Sequence, residues 1–188
     1  MPPPATFPVA VLDANVLYPQ FLRDVMLRLA AAGLFVPRWT DRIHEEWTRN
    51  LAVNRPDIPT DRIAHLRMLM EKAFPDAQVA GYEADEMLFS SIDAKDRRVA
   101  AAALKCGAGV IVTWNLRGFP AEGLREHGLR ASDPDAFIAA LIGRDRVTAS
   151  SVVEAHRVGL SRPPHSKAEY RAALESAGLT RSARKLFG

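Results

Sequence analysis

Cysteine is almost missing from this sequence: Cys106 is the only one in 188 residues. That excludes an internal disulfide and a zinc site built from cysteines. Cys106 lies in AAAALKCGAG, an apolar helical context where a packing role is expected. Also missing is any apolar run near the roughly 20 residues that a membrane-crossing helix needs. The segment MPPPATFPVAVLD has no basic n-region and no long hydrophobic stretch, so it does not read as a secretory signal. The five histidines, His44, His65, His127, His156 and His165, share no metal-ligand spacing and have no nucleophile near them in sequence. Neither G-x-x-x-x-G-K-[ST] nor G-x-G-x-x-G occurs, so the usual nucleotide-binding loops are absent. The expectation is a soluble, cytoplasmic protein.

What is present is apolar material and an uneven charge. Hydrophobic residues make up 48% of the chain, enough for a sizeable core and too much for a disordered protein. The length fits one domain, or one domain with a helical appendage. Residues 144–188 carry nine Lys/Arg against four Asp/Glu, a net of +5. Residues 1–143 keep 16 basic and 18 acidic side chains, a net of −2, within an overall charge of +3. An acidic main part (1–143) with a basic helical extension (144–188) suits cation holding in the first and polyanion binding in the second. Two solvated amphipathic helices would give the same count.

Residues 7–12 read as a short buried strand ending on Asp13. From Pro19, apolar positions 21, 22, 25, 26, 29 and 30 follow a helical period up to Gly33. LFVPRW is a short extended piece. Thr40 then caps a helix through DRIHEEWTRNLAV, with Ile43, Trp47 and Leu51 on one face. A second capped helix, DRIAHLRMLMEKAF, follows the turn NRPDIPTD, and QVAGY is a candidate strand. IDAKDRRVAAAALKCG is a helix starting near Asp93 or Asp96, and AGVIVTWN is a strand buried on both faces. FPAEGLREHGLR gives a short helix and an edge strand, and SDPDAFIAALIG a helix with Pro134 in its first turn. Two helices flank the break SRPP, the second opened by a capping box from Ser166 and Glu169. Short apolar strands alternating with helices imply an α/β fold with a mostly parallel sheet.

In such sheets ligands gather beyond the carboxyl ends of the strands. Asp13 lies at the end of the first strand, Thr113 and Asn115 at the end of VIV, and Asp96 at the start of the helix leading back into it. Glu46 projects from the second helix. Carboxylates converging at a strand edge repel unless a cation or proton intervenes, and Mg²⁺ or Mn²⁺ prefers one or two carboxylates plus waters. Each residue also has a plainer role open to it. Asp13 suits a turn or helix cap, Glu45 and Glu46 a solvated face, Asp96 an N-cap and Asn115 a turn.

Four pieces, LDANVLY, the acid in IHEEW, DAKDRRVAAAALKCGAGVIVT and TWNLRGFP, stand in an order and spacing that resemble the PIN-domain family of metal-dependent ribonucleases. Its best-known bacterial members are the VapC toxins of toxin–antitoxin pairs. The resemblance covers about residues 7–142, and the tail resembles an accessory segment of some VapC-like proteins. It implies a three-layer α/β/α sandwich. It makes Asp13 the first metal-binding aspartate and Asn15 the polar residue that steadies it. Glu46 matches the glutamate of the second helix, with Glu45 an alternative. Asp96 matches the acid before the alanine-rich helix, with Asp93 second. Thr113 and Asn115 match the T-x-N/D element. Many relatives carry an aspartate where this chain has Gly118, so the fourth ligand is neutral Asn115 or absent, which favours a single ion.

The chemistry implied is Mg²⁺- or Mn²⁺-assisted hydrolysis of RNA, leaving a 3′-hydroxyl and a 5′-phosphate, with Asp96 or Glu46 orienting or deprotonating the attacking water. Arg117, Arg157, Arg162 and Lys167 would contact phosphates without sequence choice. Trp114 would stack on a base or pack on its own domain. The partners implied are an RNA substrate, a cognate antitoxin and a second copy of the chain in a homodimer. Two rivals remain. A haloacid-dehalogenase-type phosphatase also begins with an aspartate after its first strand, but needs a second aspartate where Asn15 stands. A degenerate PIN domain that only binds RNA or scaffolds fits Gly118 and Asn115.

Overall fold

The structure, a computed structural model, describes residues 8–160 and 164–188. Along the chain run β1 (Val9–Leu12), α1 (Ala14–Leu17), α2 (Gln20–Ala31), β2 (Val36–Arg38), α3 (Asp41–Asn54), α4 (Thr60–Ala73) and α5 (Ala94–Lys105). There follow β3 (Val110–Val112), α6 (Ala121–Arg125), β4 (Arg130–Ser132), α7 (Pro134–Arg144), α8 (Arg146–Gly159), α9 (Lys167–Ser176) and α10 (Thr180–Phe187). The four strands form one all-parallel sheet in the order β2-β1-β3-β4. This is the expected α/β architecture, consistent with a PIN-like sandwich.

The sheet forms because VAVL and VIV are short, small or β-branched, and buried: Ala10, Val11, Leu12, Ile111 and Val112 are fully enclosed. Val11 pairs with both Arg38 and Ile111, so β1 is an inner strand. Ala100 to Ala103 of α5 are also fully buried, and their small side chains let this helix lie close to β1 and β3. From β1 the chain steps one way to β2 and later the other way to β3. Parallel sheets open a crevice at such a switch point, beyond the strand ends.

Several elements are set by local chemistry. Thr40 caps α3 by accepting from Ile43 N at 3.2 Å. Asp133 caps α7 by accepting from Ala136 N at 2.8 Å, with Pro134 at the first helical position. The Ser166–Glu169 capping box forms at α9 as expected.

The structure also corrects the sequence reading. QVAGY forms no strand: it makes a single parallel bridge, Gln78 with Trp39, before the chain turns at Gly81 (φ +69°) into a 3₁₀ stretch, Glu83–Phe89. The first strand starts at Val9, and Phe7 lies outside the described residues. A short helix, α1, begins directly after Asp13. At α4, Thr60 is the first helical residue and Pro59 takes the cap position, so no side-chain cap forms. The largest omission is α10, whose amino end is served from far away in sequence. The buried Asp135 of α7 accepts from Arg181 N (2.8 Å), Ser182 N (2.8 Å) and Ser182 Oγ (2.7 Å). Lys185 Nζ adds a bond to Ala139 O at 2.8 Å. The extension is thereby stitched onto the sheet-bearing part.

Removing that carboxylate strands two backbone N–H groups, one of them in the buried Ser182, whose hydroxyl keeps a bond to Asp135 O at 3.2 Å. Asp135→Ala is expected to lower the unfolding free energy by about 1–3 kcal/mol in urea titration. An unchanged midpoint would show that α10 is held without the Asp135 carboxylate.

Candidate active site

Asp13 stands where β1 ends, at the crevice. Its backbone N–H donates to Val112 O at 3.0 Å, continuing the β1–β3 ladder by one residue. Its side chain turns into the switch point and is largely buried. Oδ1 accepts from Ala14 N at 2.7 Å, so Asp13 also caps α1. Oδ2 accepts from Thr113 Oγ1 at 2.6 Å and from Asn15 Nδ2 at 2.7 Å. Cap and site residue are therefore one and the same carboxylate.

Asn15 and Thr113 extend this contact into a network. Asn15 Nδ2 also reaches Thr113 Oγ1 (2.9 Å), and its Oδ1 accepts from Trp114 N (3.0 Å). Thr113 Oγ1 in turn accepts from Asn115 N (3.0 Å). Asn115 divides its side chain: Oδ1 accepts from Gly118 N (3.3 Å), forming the turn, and Nδ2 points to Asp96 Oδ2 (3.4 Å). An ionised carboxylate accepts only, so the amide nitrogen is the end that must face Asp96. Asn115 thus acts as a donor toward Asp96, with its oxygen turned away.

Asp96 lies in the first turn of α5, buried, while Asp93 holds the cap position without a side-chain cap bond. Gly118 closes over Asp96. A Cβ built there would sit 2.3 Å from Asp96 Oδ2 and 2.5 Å from Asn115 Nδ2. A side chain at 118 would collide with both unless they moved, so Asp96 and Asn115 as placed occupy the space a side chain there would need.

On α3, the glutamates part company. Glu46 is exposed but near enough that its charge acts on Asp13, whereas Glu45 lines a groove between α3 and α4 with Arg49, Ala52, Ile63 and Arg67. The phase is set by Ile43 and Trp47, both buried against the core.

Among the basic residues, Arg117 is exposed in the 3₁₀ turn Leu116–Gly118, and Lys167 is exposed at the start of α9. Arg157 is engaged inside the extension: it pairs with Glu154 (2.7 and 2.9 Å) and donates to His165 O. Arg162 lies outside the described residues. Two histidines are core partners, His44 accepting from Trp47 Nε1 (2.9 Å) and His156 meeting the Tyr170 hydroxyl (2.7 Å).

The electrostatics are those of crowded acids. Burial pushes the Asp13 carboxyl above the usual carboxylate range; the bonds from Thr113, Ala14 and Asn15 oppose the rise and the Glu46 charge adds to it. Burial likewise raises Asp96; Lys95 and Asn115 oppose this, and the Asp13 and Asp93 charges reinforce it. Two hard-oxygen anions disfavoured in this way are the pair that could hold a divalent cation. Among the described residues no group of three or more His, Cys, Asp or Glu forms a ready cage. One or two carboxylates plus waters is the donor set Mg²⁺ accepts, so the residues fit that ion in kind and number.

Comparison with known proteins adds a finding from the other end of the chain. Residues 134–187 match the family model of the VapC50 C-terminal domain. The chain is 48% identical over 44 residues to a putative ribonuclease VapC50 of Mycobacterium tuberculosis (strain ATCC 25618 / H37Rv). That match covers 23% of this chain and 26% of the relative, so it spans about a quarter of the curated relative. No solved structure matches the chain. The family-model match lies wholly beyond the strand-end residues Asp13, Asp96 and Asn115.

The raised Asp96 has a sign that can be checked. A carboxyl held above its unfolded pKa favours folding while protonated, and that contribution is lost as pH rises through the folded pKa. Without divalent cations, Asp96→Asn should therefore melt higher than the parent at pH 7 by calorimetry. The gap should close as pH falls below about 4, where the unfolded carboxyl is also neutral. A lower melting point at pH 7 would contradict the burial argument.

Proposed function

We propose that this protein is a divalent-cation-dependent endoribonuclease acting as the VapC-type toxin of a toxin–antitoxin pair. The observation that carries the reading is Asp13, fixed at the switch point by Thr113 and Asn15 with Asp96 beside it. Bound Mg²⁺ or Mn²⁺ would polarise a phosphodiester and acidify a coordinated water. Asp13 and Asp96 would hold the cation. Thr113 and Asn15 fix the Asp13 rotamer, and Asn115 fixes Asp96 by donating to Oδ2. Glu46, an exposed carboxylate within electrostatic reach of Asp13, takes a proton from the attacking water. Arg117 meets a neighbouring phosphate. The name of the VapC50 relative, a putative ribonuclease, supports the same reading.

The partners that follow are an RNA strand, a cognate antitoxin and a second copy of the chain, in the cytoplasm. Among the described residues no helix is long and apolar enough to cross a membrane. A second reading, an RNA-binding module without cleavage, is favoured by Gly118 packed onto Asp96 and by a pair of acids where a larger cluster would hold metal more tightly. The phosphatase reading has no such support, because the Asn15 amide donates to Asp13 and cannot serve as an acid–base group.

Purified protein should cleave RNA with Mg²⁺ or Mn²⁺, and cleavage should vanish in EDTA and in Asp13→Ala. Asn15→Ala should cut the rate by about 10–100-fold, as expected for a residue orienting a metal ligand. Cleavage that persists in EDTA would overturn the proposal. Calorimetry showing no Mn²⁺ uptake would favour the binding module.

A further inference from the structure

The chain has three tryptophans, and they are not alike. Trp39 and Trp47 are fully buried, whereas Trp114 is 40% exposed. Trp114 sits between the two residues that hold the acids: Thr113, bonded to Asp13, and Asn115, bonded to Asp96. Its own N–H is fixed by Asn15 Oδ1. The indole therefore stands at the lip of the carboxylate site on a backbone with little freedom.

Its outer rim is braced by the C-terminal extension. A Cβ built on Gly178, between α9 and α10, would lie 2.9 Å from Trp114 Cη2, with Cζ2 and Cζ3 at 3.4 and 3.7 Å. Gly178 also has φ +82°, so the turn needs glycine both for its backbone and for the closeness of the ring. Leu179 is fully buried, and Asp135 holds the next turn through Arg181 N and Ser182 N. The brace is thus itself fixed to the body of the protein.

Two arginines are carried by the segments that meet at the ring, one by the turn after Trp114 and one by the helix after Gly178. Arg117 is exposed in the turn just after it. Arg181 has a side chain 67% exposed, its Nη1 3.9 Å from Asp133 Oδ2. Asp133 follows β4, beside Thr113, whose N–H donates to Ser132 O at 3.0 Å. An exposed aromatic ring on a segment that also carries an exposed arginine, braced by a turn followed by another, suits one nucleotide of a flexible strand, the base on the ring and the phosphates on the arginines. Bases in a duplex are stacked on each other and cannot offer that face.

We infer that Trp114, braced by Gly178 and served by Arg117 and Arg181 on the adjoining segments, is a stacking platform that seats an unpaired base of single-stranded RNA beside Asp13 and Asp96. The choice of RNA rests on the ribonuclease reading. The C-terminal extension then completes the substrate site, through Gly178 and Arg181, and Trp114 is a positioning residue that selects unpaired segments.

The test is binding of the full-length protein, in EDTA, to a labelled 12-nucleotide single-stranded RNA of mixed sequence and to the corresponding duplex. Since Trp39 and Trp47 are buried, quenching of tryptophan emission by RNA reports on Trp114. The single strand should bind more tightly than the duplex and quench that emission. Trp114→Ala should weaken binding by about 5- to 100-fold while Trp114→Phe keeps most of it. Arg181→Ala should reduce the salt slope by about 1. Melting points of the variants separate lost binding from lost folding. Unchanged affinity in a folded Trp114→Ala, or binding that leaves the emission untouched, would overturn the inference, as would no binding at all. RNA cleavage without Trp114-dependent binding sinks the platform and leaves the nuclease. Trp114-dependent binding without cleavage under Mg²⁺ or Mn²⁺ does the reverse.

Discussion

The hydrogen bond from Thr113 Oγ1 to Asp13 Oδ2, at 2.6 Å, joins the ends of β1 and β3 where the sheet changes direction. Everything polar at that edge refers to it. Asn15 donates to both partners, Asn115 N donates to the same hydroxyl, and the Asn115 amide carries the link on to Asp96. A threonine at this place can donate and accept through one atom, which a valine of equal shape cannot. The arrangement keeps one carboxylate enclosed and oriented although burial disfavours its charge.

The support continues behind Asp13. Arg23 of α2 is buried and donates to Leu17 O at 2.6 Å, satisfying a carbonyl at the end of α1. Its guanidinium lies 5.1 Å from the Trp47 ring centroid, on the helix that also carries Glu46. The turn holding Asp13 and the helix holding Glu46 are thereby tied through one cation and one indole. Packing outside the site, apolar and cationic, thus fixes the elements that carry Asp13 and Glu46.

Much of this was legible in the sequence because its signals are local. An apolar run ending on Asp13, the TWN triplet after VIV and the spacing of Ser166 and Glu169 each announce a strand end, a turn or a cap within a few residues. The site network needs Asp13 beside Thr113, a hundred residues away, and only the parallel topology supplies that. What stayed hidden was non-local. TRSARKLF has no cap of its own, since its orphan N–H groups are met by Asp135. QVAGY has strand-forming residues but only one bridge partner, Trp39. The closeness of Gly118 to Asp96, and of Gly178 to Trp114, cannot be read from a glycine symbol; each depends on a neighbour brought in by the fold.

The matched C-terminal segment begins at residue 134, the first residue of α7, and that helix is no appendage. Phe137, Ile138, Leu141 and Ile142 lie in the central core, with the Phe137 ring edge-on to Phe35 at 5.1 Å. The border of the recognisable segment therefore runs through the protein's interior. An exchange of genetic material at that border would have to replace a closing helix rather than add a bead to a finished string. The incoming piece would need to fill the core position that Phe137, Ile138, Leu141 and Ile142 now hold.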